Sequence, residues 1–142
     1  RAVLITPNLD EAALLVQRPL QNELDMEHAA TRLLAMGAKA VLVKGGHLVG
    51  DEVCDLLALA SGETIWLRDT RIHTPNTHGT GCTLSSAIAS YLALGHDLLQ
   101  AVQSARVYVR GALLGGAWAR TGKGSGPLNH GYAPHAMVRQ ST

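Results

Sequence analysis

The stretch Asn76-Thr-His-Gly-Thr-Gly-Cys-Thr83 decides how the second half of this chain folds. Its glycine-rich turn, Gly79-Thr80-Gly81, runs into Cys82 and an apolar, small-residue sequence that continues to Leu94 and predicts a helix. The first turn of a helix has backbone N–H groups without intrahelical acceptors and is the positive end of the helix dipole. Glycines let an anion approach such groups closely. The pattern therefore predicts an anion-binding turn that carries a thiol.

Cys82 is the candidate for a reactive group in this turn. A helix dipole favours the thiolate in its first turn, and an anion site beside such a group suits phosphoryl transfer. Two alternatives stay open on the residues alone: a plain glycine-containing loop before a core helix, and a Cys–His hydrolase that uses His78. The hydrolase is disfavoured because His78 lies only four residues before Cys82 on a tight loop, without an obvious orienting Asn or Asp.

Short apolar runs and helical patterns alternate along the chain. Ala2–Thr6 and Ala40–Val43 predict buried strands, the first of them in a parallel sheet. Shorter strands with antiparallel pairing at a sheet edge are expected between residues 47 and 69. The predicted helices are Asn8–Val16, Met26–Met36, Thr83–Leu94 and Asp97–Leu114. This order is typical of part of a three-layer α/β domain, in which ligands bind beyond the carboxyl ends of the strands.

Three further polar residues are expected at that edge of the sheet. Asn8 and Glu11 have capping-box spacing, in which each side chain accepts a hydrogen bond from the other residue's backbone. The alternative is an amide and a carboxylate that help to hold a hydrated Mg²⁺ beside phosphates. Lys44 follows a strand and precedes Gly45-Gly46. A lysine there is usually just solvated, but a cation beside a glycine turn also suits a phosphate.

Composition excludes several classes of function. The net charge of +1 gives no reason to expect nucleic acid or a membrane surface as a partner. The two cysteines are far apart in the sequence, which favours free thiols over a disulfide. No apolar run approaches the length of a membrane span, so we expect a cytoplasmic protein. The histidines do not form a recognisable metal-binding pattern, and Gly122-Lys123 does not complete a Walker A motif. Because the sequence enters a strand directly after Arg1, we expect a piece of a longer protein.

Four segments together resemble a known family. They are Thr6–Ala12, Val41–His47, Asn76–Ser86 and Gly122–His130, in this order. They look like the hydroxymethylpyrimidine/phosphomethylpyrimidine kinases of thiamine biosynthesis, members of the ribokinase-like superfamily. The resemblance covers essentially the whole chain but corresponds to the C-terminal half of the family's single domain. The Gly-Thr-Gly-Cys form is fairly specific, since most ribokinase-like relatives carry Asp at the position of Cys82.

The resemblance implies an α/β fold, the C-terminal half of a ribokinase-like three-layer αβα sandwich. It implies ATP-dependent phosphorylation of 4-amino-5-hydroxymethyl-2-methylpyrimidine and then of its monophosphate. Thr80, Gly81 and Cys82, with Gly79 before them, would form the anion hole, with Cys82 as base or proton acceptor. Lys44 would contact ATP phosphates. Asn8 and Glu11 would support the metal–phosphate network, with Glu11 reaching Mg²⁺ through water.

Some expectations stay open beside this one. A pyridoxal or pyridoxine kinase of the Cys-bearing kind is the alternative within the superfamily, and a non-catalytic nucleotide-binding fragment is the alternative outside enzymes. The resemblance implies that the pyrimidine pocket is built mainly by the N-terminal half of the domain, which this sequence lacks, so the chain alone is expected to have little or no activity. We expect a homodimer with small-molecule partners, the pyrimidine and ATP.

Overall fold

The computed structural model describes residues 3–46, 48, 50–120 and 122–136. The chain divides into two compact units, Arg1–Arg71 and Ile72–Thr142. The first unit is a small sheet covered by two helices, and the second is a pair of helices followed by a loop. Among the described residues, no helix is both long enough and apolar enough to cross a membrane.

The first unit is built on an antiparallel sheet in the order β1-β2-β3, with β1 at Ala40–Lys44, β2 at Glu52–Leu59 and β3 at Thr64–Thr70. The antiparallel pairing predicted for this region is confirmed. The strand expected between the turn residues near Gly50 and Gly62 is β2, of eight residues. In four of its five pairs with β1 an apolar residue lies opposite an apolar residue, which favours continuous pairing. Val49, the first of the turn residues predicted before this strand, lies outside the described residues.

The segment before α1 runs parallel to β1, as predicted. Ile5 bridges Val41 and Asn8 bridges Lys44, with backbone hydrogen bonds from Leu42 N to Ile5 O (2.8 Å) and from Lys44 N to Pro7 O (2.9 Å). The pairing consists of isolated bridges rather than a continuous strand, and Pro7 contributes to this because it has no N–H to donate. Ala2, the first residue of the predicted strand, lies outside the described residues.

Two helices cover one face of this sheet: α1 spans Leu9–Val16 and α2 spans Glu23–Ala35. The sequence predicts α2 from Met26, but it begins three residues earlier because the Asn22 side chain caps it, accepting a hydrogen bond from Asp25 N (2.9 Å). Gly37 follows its C-terminal end with φ +107°, as expected for a helix-ending glycine. The core between helices and sheet consists of Leu9, Ala12, Val16, Met26, Ala29, Ala30, Leu33, Val41, Val43, Leu56 and Ala58.

The second unit contains α3, at Thr80–Ala93, packed against α4, at Leu98–Gly116. The sequence predicts the first of these from Thr83, but it begins at Thr80, so the glycine-rich turn supplies its first turn. Asp97 caps α4 as predicted, its Oδ1 accepting from Gln100 N at 2.8 Å. In the described residues from 122 to 136 the chain has neither helix nor strand ladder, and Leu128 is a buried apolar residue of this loop.

Candidate functional site

The N-terminal end of α3 differs from that of the other three helices of the described chain. Asn8, Asn22 and Asp97 cap α1, α2 and α4 with their side chains, whereas no side chain caps α3. Its N-cap is Gly79, in the left-handed conformation (φ +84°), and the first intrahelical hydrogen bond runs from Thr83 N to Gly79 O (2.9 Å). Thr80 N donates to Thr77 O (3.4 Å), so the backbone amides left to an external acceptor in the first turn are those of Gly81 and Cys82.

A buried asparagine fixes the chain just before this turn. Asn76 is 3% exposed, and its Nδ2 donates to the carbonyl oxygens of Gly116 and Ala119, each at 2.6 Å. Gly126 packs so tightly against the carboxamide that a Cβ there would collide with Asn76 Oδ1. Asn76 was not among the sequence-predicted site residues. Its place at the head of the glycine motif was a signal, but its partners 40 and 43 positions away were not visible in the sequence.

The last motif segment also lies beside α3. Thr83 Oγ1 and His130 Nε2 are 2.9 Å apart, and Tyr108 donates its hydroxyl hydrogen to the carbonyl oxygen of His130 (2.8 Å). His78 N donates to Gly126 O, and His78 bridges Pro127 in parallel. The loop from Gly126 to His130 is thus attached to both sides of the turn at Gly79. His130, expected to be a loop residue, is one, and it also contacts the helix that carries Cys82.

The first unit brings its three predicted site residues together. Asn8 N donates to Glu11 Oε2 (2.9 Å) and Glu11 N donates to Asn8 Oδ1 (2.8 Å), so the capping box is confirmed. Asn8 also bridges Lys44, the last residue of β1. All three residues therefore lie at the carboxyl ends of the parallel segment and β1, where α/β sheets bind ligands.

Lys44 is followed by a glycine that no other residue can replace without rearrangement. A Cβ on Gly45 would collide with the backbone carbonyl oxygen of Cys54 on β2. Gly45 N also donates to Oδ1 of Asp55 (3.0 Å), a carboxylate that is only 6% exposed and stands opposite Lys44 in the strand register. Asp55 was not among the site residues predicted from the sequence. The available signal was an acidic residue within the apolar run Val53–Leu59.

An arginine holds the chain that follows Gly45. The Arg71 guanidinium donates to the carbonyl oxygens of Gly46 (2.6 Å), Leu48 (2.6 Å) and Gly50 (2.8 Å). His47 lies outside the described residues. Because a planar guanidinium offers five hydrogens in a fixed arrangement, it can satisfy several loop carbonyls at once. Arg71 thereby fixes the course of the backbone between β1 and β2.

The two cysteines have different surroundings. Cys82 is exposed in the first turn of α3, whereas Cys54 is buried in β2, where desolvation raises the pKa of its thiol. In the described part of the chain no hydrogen bond joins Cys82 to His78, which further disfavours the Cys–His hydrolase. No cluster of three or more His, Cys, Asp or Glu side chains that could hold a metal occurs there either.

A family comparison agrees with this geometry. The model of the family described as phosphomethylpyrimidine kinase matches residues 1–129. The chain belongs to the phosphomethylpyrimidine kinase family. A hydroxymethylpyrimidine/phosphomethylpyrimidine kinase of Streptomyces coelicolor is 48% identical over 132 residues, which cover 93% of this chain and 48% of that protein. The thiamine biosynthesis bifunctional protein ThiED of Geobacter sulfurreducens is 42% identical, covering 91% of this chain and 26% of that protein.

Solved structures confirm the mixed α/β, ribokinase-like fold of this chain. The pyridoxal kinase from Staphylococcus aureus in complex with ADP matches with a TM-score of 0.87 at 34% identity, covering 94% of this chain and 49% of that one. The chain thus spans about half the length of the S. coelicolor and S. aureus proteins.

Proposed function

We propose that the protein containing this chain is an ATP-dependent kinase that phosphorylates 4-amino-5-hydroxymethyl-2-methylpyrimidine and then its monophosphate in thiamine biosynthesis. The observation that carries the proposal is the α3 N-terminus, which has no side-chain cap and holds Cys82 in its first turn. Membership of the phosphomethylpyrimidine kinase family and the name of the Geobacter relative support the reaction and the pathway.

The turn at Gly79 acts as the anion hole in this proposal. Phosphoryl transfer has a loose transition state with charge spread over the oxygens of the transferred group. The amides of Gly81 and Cys82 donate to these oxygens from fixed positions, since Gly79 sets the entry angle and Asn76 fixes the preceding chain. Thr80, whose N donates to Thr77 O (3.4 Å), shapes the turn that presents them. Fixed donors stabilise developing charge without reorganisation, and losing one such donor costs on the order of 10²–10³ in rate.

Cys82 accepts the proton of the substrate hydroxyl. Because the transition state is loose, the attacking oxygen needs only weak activation, and a cysteine side chain in the first turn of the helix is sufficient. The exposed position of its side chain leaves it accessible to a substrate. Cys54 does not take this role, because it is buried beside Arg68, whose Nη1 lies 3.0 Å from its Sγ.

Lys44, Asn8 and Glu11 serve the nucleotide. Lys44 neutralises charge on the ATP phosphates from its position at the end of β1. Mg²⁺ would supply further neutralisation of phosphate charge when bound. The capping box occupies Glu11 Oε2, but a carboxylate accepts several hydrogen bonds at once, so Glu11 can also hold a water of the hydrated ion. The cap keeps the Glu11 and Asn8 side chains in place for this second task.

The chain supplies the C-terminal part of one kinase domain, on this proposal. It covers about half of the S. coelicolor relative, and the remaining half of such a domain would build most of the pyrimidine pocket. We further propose a homodimer in the cytoplasm, with ATP and the pyrimidine as its small-molecule partners. The cytoplasm is proposed because both cysteines are free thiols, as is usual for proteins in a reducing compartment.

A pyridoxal kinase is the second candidate, because the S. aureus neighbour carries that name. Its 34% identity is lower than the 48% shared with the S. coelicolor pyrimidine kinase, which favours the pyrimidine. Assays of the complete protein with each substrate, following ADP release, decide between them. A large preference for pyridoxal would overturn the pyrimidine assignment. ATP binding by calorimetry without ADP release in the presence of the pyrimidine would instead indicate a non-catalytic nucleotide-binding protein.

A further inference from the structure

The start of α3 contains two glycines, Gly79 and Gly81, and no side chain caps it. Glycine loses more backbone freedom on folding than other residues, and a helix end without a cap frays more readily. A capping side chain would accept a hydrogen bond from the second or third helical amide, which here belong to Gly81 and Cys82. The turn therefore has to be held by contacts that leave these two amides free for a ligand.

The hydrogen bond between Thr83 and His130 is a contact of this kind. Thr83 is the fourth residue of α3, and its Oγ1 lies 2.9 Å from Nε2 of His130. The backbone of Thr83 closes the first intrahelical hydrogen bond, to Gly79 O, so a restraint on its side chain acts directly on the first turn. A hydroxyl both donates and accepts, so the bond forms with either tautomer of the imidazole. It uses side-chain atoms only and engages neither of the free amides.

The loop that carries His130 is anchored independently of α3. Tyr108 donates its hydroxyl hydrogen to His130 O (2.8 Å), and Asn129 N donates to Ala112 O (3.0 Å). Tyr108 and Ala112 both belong to α4. Because two consecutive residues of the loop are bonded to this long helix, the imidazole of His130 is presented to α3 from a fixed support.

We propose that His130 is a positioning residue of the anion hole, which acts through Thr83 and takes the place of a side-chain cap on α3. With Thr83 held, the first turn keeps the amides of Gly81 and Cys82 in place before the nucleotide binds. Donors that are already in place stabilise developing charge without reorganisation. His130 is assigned no contact with the reacting atoms, so its role is separate from that of Cys82. The proposal rests on the proposed function, since the anion hole belongs to the kinase reaction.

Hydrogen exchange of the Thr83 N–H in the complete protein, without ATP or pyrimidine, tests the restraint independently of activity. His130→Ala removes the imidazole, and exchange is expected to accelerate about fivefold or more, as expected for the loss of one hydrogen bond. His130→Gln places a donor and an acceptor near the position of Nε2, so exchange is expected to stay within about twofold of the unaltered rate. The Ala101 N–H, which makes the equivalent first bond of α4 to Asp97 O (2.9 Å), is the internal reference.

Turnover of the complete protein tests whether the restraint serves the reaction. His130→Ala is expected to lower kcat about five- to tenfold while KM for ATP changes by about twofold at most, because the anion hole binds charge that develops in the transition state. His130→Gln is expected to restore kcat. Thr83→Val removes the hydroxyl from the same bond and is expected to lower kcat to a similar extent. The double variant His130→Ala/Thr83→Val is expected to be no slower than the slower single variant, since both changes remove one interaction.

His135→Ala is the matched control, because His135 is an exposed histidine of the same loop, and its turnover is expected to equal that of the unaltered protein. Circular dichroism and urea unfolding verify that each variant is folded. Unchanged exchange at Thr83 in His130→Ala would overturn the proposal, as would effects of His130→Ala and Thr83→Val on kcat that simply multiply. Faster exchange in His130→Ala, in a protein that releases no ADP with either pyrimidine, would instead refute the proposed function and leave the restraint standing.

Discussion

The Nδ2 atom of Asn76 lies 2.6 Å from the carbonyl oxygen of Gly116, the last residue of α4. Asn76 also donates to Ala119 O, so one buried carboxamide satisfies two carbonyls where α4 ends. Because the chain passes from Asn76 to Gly79 in three residues, this contact ties the anion-binding turn to the end of another helix.

Replacing Asn76 is expected to destabilise the fold and displace that turn. Asn76→Ala removes both side-chain hydrogen bonds and deprives the Ala119 carbonyl of this donor, whereas Gly116 O keeps the bond from Ala119 N (3.0 Å). We expect a cost of about 1–3 kcal/mol in the free energy of unfolding. Urea unfolding followed by circular dichroism measures this. Asn129→Ala is the control and is expected to cost less, because the Asn129 side chain is exposed; its amide donates to Gly115 O at 3.4 Å and accepts from Gly131 N at 3.1 Å. Equal stability of Asn76→Ala and the unaltered chain would contradict the expectation.

Gly45 and Gly46 provide a matched pair of substitutions. Gly45→Ala forces a Cβ into the carbonyl of Cys54, and we expect a loss of about 1–3 kcal/mol of stability from overpacking, with weaker ATP binding through displaced Lys44. Gly46→Ala meets nothing within 4 Å and is expected to be nearly neutral. Thermal unfolding of both variants, and ATP affinity in the complete protein, make the comparison. A Gly46→Ala variant as damaged as Gly45→Ala would contradict the steric argument.

Cys82→Ala in the complete protein is expected to lower kcat by about 10²–10⁴-fold, the usual contribution of a proton acceptor. ATP affinity should change little, because the backbone amides of the anion hole remain. Cys54→Ala is the control, since that thiol is buried and lies on β2 rather than in the turn. Turnover and nucleotide binding are measured separately. Full turnover by Cys82→Ala would eliminate its role as proton acceptor.

The pair Glu23–Arg68 predicts a pH dependence of stability. Two hydrogen bonds from Arg68, at 2.7 and 2.8 Å, lower the pKa of the Glu23 carboxyl below its ordinary value of 4.5. A lowered folded-state pKa stabilises the protein above pH 4.5, and this stabilisation is lost as the pH falls through the lowered value. Both side chains are 43% exposed, so solvent screening limits the contribution to about 1 kcal/mol or less.

Glu23→Gln is therefore expected to be less stable than the unaltered chain at pH 7, with the difference shrinking in acid. Chemical unfolding at a series of pH values measures it. Glu63→Gln, in the exposed turn after β2, controls for the change in net charge. A difference that grows as the pH falls would have the wrong sign and would refute the assignment.

Arg71→Lys is expected to loosen the loop after Lys44. Lysine has the charge but not the planar fork that reaches three carbonyls, so the bonds to Gly46, Leu48 and Gly50 cannot all persist. Hydrogen exchange of Leu48 N–H, which donates to Gly45 O, should accelerate about tenfold or more, as expected for losing about one loop hydrogen bond. The Ala58 amide in β2 is the internal reference. Unchanged exchange at Leu48 would show that the guanidinium does not restrain this loop.

Local sequence signals predicted the parts of the site that short-range physics controls. The Asn8–Glu11 capping box, the Asp97 cap and the helix that follows Gly79 each depend on residues within four positions of one another, so their hydrogen bonds can be inferred from spacing. The starts of α2 and α3 were each placed three residues too late. The Asn22 cap was overlooked in one case, and in the other the glycine turn itself forms the first helical turn.

The sequence by itself determined that this chain is an α/β protein with a glycine-rich, thiol-bearing helix start and a lysine at a strand end, because periodicity and caps act over a few residues. Only the tertiary structure decided what holds these elements in place. Asn76 and Asp55 have partners 40 and 10 positions away, and Arg71 reaches back more than 20. Those contacts exist because buried polar groups must find partners wherever packing puts them.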